Sequence, residues 1–374
     1  MQISKVILWE LKIPLRFQFA QANNATQQSH SALLELQLMD GTSGYGESCP
    51  RPYVTGEDMQ TVKADIQAIQ HQIEGLNIQS IEDIRLQLQS WASQVGSSTL
   101  CALELALLDA WSKTQSQPLG QLLGIKTKRT LSYSLILPLV KKAHLEGLFQ
   151  LLRGIKPPKI KLKVDNQHQK NLEKIRFIQS YFGPEVPVRV DVNNGWTLEE
   201  AQKFIPDYLS LGVSSFEQTL ATEDLEGLKT LTRIFGHEAS IMADEALTSF
   251  EKATYLLEHK ICNHFNLKIS KLGGIFHSLE VYKKAAQFGI PCQLGAHFGE
   301  TSILTTAGIL LANLAGEMTA YEGAMGDFLL EKDITATSIR HQPNGQLNSE
   351  AVLQQIGIGG NVRKAIIQEF GAII

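Results

Sequence analysis

One spacing governs what this chain can fold into. Between residues 131 and 324, short β-rich runs recur, each followed by a longer run of helical character. They are LSYSLIL (131–137), KIKLKV (159–164), VPVRVDV (186–192), SSFEQ (214–218), SIMADEA (240–246), HFNLKI (264–269), PCQLGA (291–296) and TAYEGA (319–324). Their starts lie 28, 27, 28, 26, 24, 27 and 28 residues apart. One strand, one helix and two short loops fill that length, so the pattern predicts a βα unit repeated eight times. Eight such units fit a (β/α)8-type TIM barrel. A Rossmann-like open sheet would need a Gly-rich turn straight after its first strand, and Gly273-Gly274 and the glycines at 357–360 lack that context.

The flanking residues set the domains. Residues 2–13 and 31–39 are strand-like and Asp40-Gly41 marks a hairpin turn. Residues 19–30 and 49–56 read as polar loops. Helical periodicity then places Leu100, Leu103, Leu107 and Trp111 on one face of 98–113. Strands followed by helices predict an N-terminal α+β module over 1–126. The α/β barrel takes 127–330, and a tail over 331–374, with a turn at Asn344-Gly345, packs back on the first module.

Charge and cysteine usage narrow the function classes. Lysines and arginines number 34 against 38 acidic residues, a net charge of -4. No basic surplus draws the chain to phosphate backbones, which argues against nucleic acid as a partner. No apolar run approaches the roughly 18 residues of a membrane span. Cys49, Cys101, Cys262 and Cys292 are scattered without a CxxC. They read as reduced thiols, and with no secretory signal in MQISKVILWELKI the expected location is the cytoplasm.

Catalytic groups of such barrels sit at the C-terminal ends of the strands. There the second strand offers Lys161 and Lys163, the third Asp191 with Asn193, the fourth Glu217, the fifth Asp244 and Glu245, and the sixth Lys268. Lys161 and Lys163 share a face, because alternate strand residues do. Charges pointing into a barrel are costly unless paired or bound to metal. Asp191, Glu217 and Asp244 bring three carboxylates together, and an all-oxygen set favours Mg2+ or Mn2+ over zinc; the alternative is a structural ion-pair cluster with the lysines. Lys163 and Lys268 flank the trio on opposite sides. A lysine whose pKa is lowered by nearby positive charge can act as a base. Two such bases on opposite faces of an α-carbon permit racemisation or epimerisation; one suffices for elimination or cycloisomerisation.

These motifs resemble the enolase superfamily, specifically its muconate lactonizing enzyme subgroup. They are Lys161-Leu162-Lys163, Asp191-Val192-Asn193, Glu217, Asp244-Glu245 and the NxKxxKxGG run from Asn266 to Gly274. The resemblance implies metal ligation by Asp191, Glu217 and Asp244, with Lys163 and Lys268 as the acid/base pair. It further implies Lys161 as an enolate-stabilising group and Asn193 and Glu245 as supports of the ligands. Lys271 then reads as a surface residue at a helix start. A capping domain is also implied, whose loops at 19–30 and 49–56, the latter with Arg51 and Tyr53, close over the barrel. His297 and Glu300 sit at the mouth. The acidic DxD of Ala-Glu-type dipeptide epimerases is absent, because that place reads Tyr321-Glu322-Gly323. Glu322 falls where muconate lactonizing enzymes carry a glutamate.

The expected activity is therefore a Mg2+-dependent isomerase that abstracts the proton α to a substrate carboxylate. It would be a cycloisomerase, or an epimerase or racemase of dipeptides or N-acyl amino acids. A lyase of the same superfamily, such as o-succinylbenzoate synthase or an acid dehydratase, is the alternative, and a silent carboxylate-binding protein the remote one. The partner is a small carboxylate, and the family admits a homo-oligomer.

Overall fold

The computed structural model describes residues 1–21, 24–358 and 360–374. Its N-terminal module is built on an antiparallel sheet ordered Gly371–Ile373, Ile3–Leu11, Ser31–Leu38, Ser43–Ser48. The hairpin turn falls at Asp40-Gly41 as the sequence predicts. Helices Met59–Ile73 and Ile81–Trp91 begin with reciprocal capping boxes at Asp58/Thr61 and Ser80/Asp83, which satisfy two orphan donors each.

Helix Ser97–Gln115 departs from the one-faced pattern, because every residue from Ser98 to Ser112 is buried. It lies against the sheet, and the approach depends on glycines. A Cβ on Gly44 would stand 2.4 Å from Ala106 O, and one on Gly46 2.0 Å from Ala102 O. The other side of the helix faces the barrel, so no face is left for water.

Seven parallel strands form the barrel: Leu135–Leu137, Ile160–Lys163, Val188–Asp191, Ser215–Glu217, Ser240–Ala243, His264–Leu267 and Cys292–Leu294. Each is followed by a helix, from Lys142–Leu151 to Ser302–Ala315. The eighth β-rich run narrows to Tyr321, which bridges both Leu294 and Tyr133 and so brings the first and last strands together. Gly323 and Ala324 then take φ of 95° and 51°, which ends the extended backbone. Only the single turn Gly326–Leu329 follows. The first run also divides: Thr130–Ser132 pairs antiparallel with Gln346–Asn348 of the tail, and Leu135–Leu137 alone enters the barrel.

The stretch expected as a loop at 19–30 is largely a β-ribbon, Pro14–Gln21 against Asn24–Gln28. Residues 22 and 23, between the two strands in sequence, lie outside the described residues. A two-stranded ribbon pairs through its backbone, so polar composition does not prevent it. The 49–56 segment holds one helical turn, Pro52–Thr55. The tail returns to the first module through Gly371–Ile373. Among the described residues, no helix is long and apolar enough to cross a membrane.

Candidate active site

Strand parity drives charge inward. Lys161 is in register with Arg189, and Lys163 with Asp191, on neighbouring strands; Asp191 in turn is in register with Glu217. Registered residues on parallel strands face the same side of the sheet. Asp244 and Lys268 each follow their strand by one residue. Asp191, Glu217 and Asp244 are at most 1% exposed, and Lys161, Glu245 and Lys268 are also buried.

The carboxylates and ammonium groups interleave. Lys161 Nζ lies 2.6 Å from Glu217, 3.1 Å from Asp191 and 3.1 Å from Glu322. Lys163 donates to Asn193 Oδ1 at 2.7 Å and stands 3.4 Å from Asp191. On the other flank Lys268 Nζ is 2.6 Å from Asp244. Asn193 also donates to Glu245 at 3.3 Å, linking the Lys163 flank to the fifth strand. Lys163 and Lys268 thus reach the acidic centre from opposite sides, through Asp191 and Asp244.

The electrostatics follow from this crowding. Asp244 is held well below the usual carboxylate range although burial opposes it, because Lys268, Lys271 and Lys161 surround it. Glu217 goes the other way. Burial pushes it up to about 8 against the pull of Lys161, and Asp191 and Glu322 add repulsion. Burial tends to lower Lys268, but Asp244 and Glu245 outweigh it and raise the ammonium above its usual range. The lowered pKa expected from the sequence is therefore absent at Lys268 while its ammonium lies against Asp244.

The remaining candidates divide into groups already engaged and groups facing outward. Glu322 is buried beneath the lysines, where it accepts from Arg189 at 2.5 Å and from Lys161. Arg51 ties three backbone carbonyls, His30 O, Pro50 O and Phe298 O, at 2.8 to 2.9 Å. It thereby stitches the N-terminal module to the barrel loop after the seventh strand. Tyr53 is 62% exposed. His297 is buried, and burial with Lys268 and Arg51 nearby lowers its pKa well below the usual value, leaving the ring neutral. Glu300 accepts from His297 N at 2.6 Å.

One expectation is overturned. Lys271 is no surface residue: it is 1% exposed, and its Nζ donates to Asp244 O at 2.5 Å, Asp244 Oδ1 at 2.8 Å and Asn266 O at 3.1 Å. Gly273 and Gly274, at φ of 85° and 116°, turn the chain before the helix begins, so Lys271 sits beneath the strand ends. Sequence reasoning also missed Arg189, which its spacing of two from Asp191 puts on the same face. It missed Gln218, whose backbone takes φ of 39°. Gln218 Oε1 accepts from Asp244 N and Ala246 N, both at 3.0 Å, and fixes the backbone that carries Asp244.

The donor set suits a hard divalent cation. Among the described residues no three acidic, histidine or cysteine side chains already form a cage; lysine ammonium groups stand between the carboxylates. Two further oxygens nearby, Glu245 Oε2 and Asn266 Oδ1, are buried without a hydrogen-bond partner. Oxygen atoms of this kind, with no sulfur or imidazole nitrogen, are what Mg2+ and Mn2+ accept.

Comparison with known proteins identifies the family. Residues 3–124 match the family model of the mandelate racemase / muconate lactonizing enzyme N-terminal domain, and residues 151–365 match that of the enolase C-terminal domain-like family. The hydrophobic dipeptide epimerase of Enterococcus faecalis is 29% identical over 317 residues, 83% of this chain and 87% of the relative. The N-succinyl-L-Arg/Lys racemase of Bacillus cereus is 24% identical over 343 residues, 89% of this chain and 90% of the relative. The crystal structure of the Enterococcus faecalis V583 dipeptide epimerase, complexed with Mg and the dipeptide L-Leu-L-Tyr, superposes with a TM-score of 0.84 at 25% identity. That match covers 96% of this chain and 99% of the other. The chain belongs to the mandelate racemase / muconate lactonizing enzyme family, with the N-terminal and enolase-like C-terminal domains of that family both present.

Proposed function

We propose that this isomerase epimerises or racemises a small substrate whose reacting carbon lies between a carboxylate and an acylated nitrogen. A dipeptide and an N-acyl amino acid both meet that description. The observation that carries the reading is the placement of Lys163 and Lys268 on opposite flanks of Asp191, Glu217 and Asp244. One neutral lysine takes the α-proton: the C–H bond breaks, an N–H bond forms, and the electron pair moves into the carboxylate. The other, as an ammonium, returns a proton to the opposite face. Lys161, between Glu217 and Asp191, keeps positive charge beside that carboxylate. Asp191, Glu217 and Asp244 would hold a divalent cation, Mg2+ by preference, which supplies further charge stabilisation as the proton leaves.

The local charges support this division of labour. Asp191, Glu217, Asp244, Glu245 and Glu322 are matched by Lys161, Lys163, Arg189, Lys268 and Lys271. Burial favours a proton on Glu217 and Glu245, which a divalent cation would displace; its two positive charges would then be offset by an entering substrate carboxylate and one neutral lysine. That is the state from which proton abstraction starts.

Asn193 and Glu245 would support the ligands, and Arg51, Tyr53, His297 and Glu300 would shape the mouth. The chain divides for this purpose into a capping module over 1–126, the barrel over 127–330 and the tail over 331–374. Four buried free cysteines suit the reducing cytoplasm.

The test incubates the protein with Mg2+ in D2O and pools of dipeptides and N-succinyl amino acids, and reads α-deuterium by mass spectrometry. Lys163→Ala and Lys268→Ala should each lose epimerisation by about 10^2–10^4-fold while still exchanging the epimer served by the remaining lysine. Wild-type exchange of both epimers in Lys163→Ala would sink the two-base reading.

A further inference from the structure

Glu104 has no part in the chemistry described so far, yet it is a fully buried carboxylate in the middle of helix Ser97–Gln115. Among the described residues it makes no ion pair within 4.0 Å. Its Oε1 instead accepts from the backbone N–H of Ile275 at 2.7 Å and of Phe276 at 3.2 Å, and its Oε2 reaches Phe276 N at 3.4 Å. These are the first two residues of the barrel helix Ile275–Gln287, whose N-cap is Gly274. A glycine has no side chain to satisfy the orphan donors of the first turn. Neighbouring barrel helices do this locally, through Asp224 and Ser249. This helix takes its cap from a residue 171 positions away, in the other module.

The chain between that cap and Lys268 has no slack. Leu272 N donates to Lys268 O at 3.1 Å and Gly274 N to Ile269 O at 2.9 Å, so two hydrogen-bonded turns join Lys268 to the capped residues. Ser270 in the same turn accepts from Cys49 N at 2.8 Å, a second tie to the N-terminal module. Gly274 is shaped to the cap as well, since a Cβ there would stand 2.3 Å from Glu104 Oε2.

We infer that Glu104 is a positioning residue for Lys268. By capping the helix across the module boundary it fixes the 268–274 turn, and with it the side of the site from which Lys268 moves a proton. The inference rests on the acid/base assignment of Lys268 made above. A residue that merely docks two modules would weaken the whole protein without favouring one face of the substrate. Glu47 supplies the comparison, because it also reaches across the boundary, to Thr301 N, Thr301 Oγ1 and Leu304 N at the next barrel helix, and among the described residues its carboxylate makes no hydrogen bond to the 268–274 turn.

The experiment uses the full chain as Glu104→Ala, Glu104→Gln and Glu47→Ala. Amide hydrogen exchange followed by mass spectrometry needs no substrate. Peptides covering 268–280 should exchange about tenfold faster in Glu104→Ala, the scale of one lost cap, with 160–195 unchanged. Glu104→Gln, whose amide oxygen still accepts, should restore protection. In D2O with Mg2+ and each epimer of a substrate found in the pools, Glu104→Ala should slow exchange of the Lys268-side epimer about tenfold and leave the other within about twofold. Glu47→Ala should move both epimers alike. Equal slowing of both epimers in Glu104→Ala, or unchanged protection at 268–280, overturns the inference. If the wild type exchanges no substrate, the functional proposal fails on its own, and the amide data still decide whether Glu104 holds the turn.

Discussion

Removing the Lys271 ammonium is the most direct test of the electrostatic frame around the site. The side chain is completely enclosed, and its three acceptors join the ends of the fifth and sixth strands: Asp244 O, Asp244 Oδ1 and Asn266 O. Lys271→Met keeps the unbranched stem and its packing while deleting the charge and all three donors. Among the described residues, Asp244 O would retain only the bond from Leu247 N, and the Asp244 carboxylate would retain Lys268. Breaking one partner of a buried pair costs about 3–5 kcal/mol. Because Lys268 still neutralises Asp244, the lower end applies, about 3 kcal/mol. At about 2–4 °C per kcal/mol for domains of 150–250 residues, Tm should fall by roughly 6–12 °C. Scanning calorimetry in metal-free buffer measures it, with the exposed Lys203→Met as a control expected to stay within about 0.5 kcal/mol. A Lys271→Met midpoint within about 2 °C of wild type would show that these strand ends are held by something other than the ammonium, and the buried-lysine reading of the turn would fall.

Two further outcomes follow from buried charges elsewhere. Burial pushes the Glu47 carboxyl from 4.5 up to about 7, so the folded state keeps a proton that the unfolded chain releases, and this group lowers stability progressively as pH rises from about 4.5 to about 7. Glu47→Gln should flatten the fall in Tm over that window, by at most about 3 kcal/mol at 1.36 kcal/mol per unit; parallel Tm–pH curves for the two proteins would refute it. Arg189→Met would leave Glu217 and Glu322 buried against each other with Lys161 as their shared cation. Urea unfolding should then register a loss of about 3–5 kcal/mol, and an unchanged midpoint would mean that Arg189 does not neutralise the pair.

The barrel was legible because repetition is a global constraint. Each βα unit must return the chain to the same sheet, so unit length varies little even where the residues do not repeat. The inward charges were legible for a related reason: strand parity assigns faces without reference to any partner. The eighth unit broke the rule. Its spacing was correct, but Gly323 and Ala324 bend the backbone away after Tyr321, leaving a bridge where a strand was expected. In the ribbon, Leu15, Phe17 and Phe19 alternate with Arg16 and Gln18 along Pro14–Gln21. The partner strand Asn24–Gln28 is NATQQ, without the apolar alternation that marks a half-buried strand, so the pairing escaped notice.

Lys271 and Glu104 were misread or passed over for a common physical cause. Each is a charged side chain whose partner is set by tertiary contact. For Lys271 the readable signal is the Gly273-Gly274 pair, since two residues at positive φ mean a tight turn, and a tight turn at a strand end folds its side chains back over the barrel. For Glu104 the signal is phase. It lies four positions after Leu100 and three before Leu107, so helical periodicity places it on the very face expected to be apolar. A carboxylate at a core phase has to meet donors there, because an unpaired buried charge is too costly to keep. Periodicity therefore establishes that a partner exists. It cannot name Ile275 and Phe276, because the contact spans two modules and depends on a glycine cap whose own sequence context, KLGGIF, reads equally well as an ordinary loop.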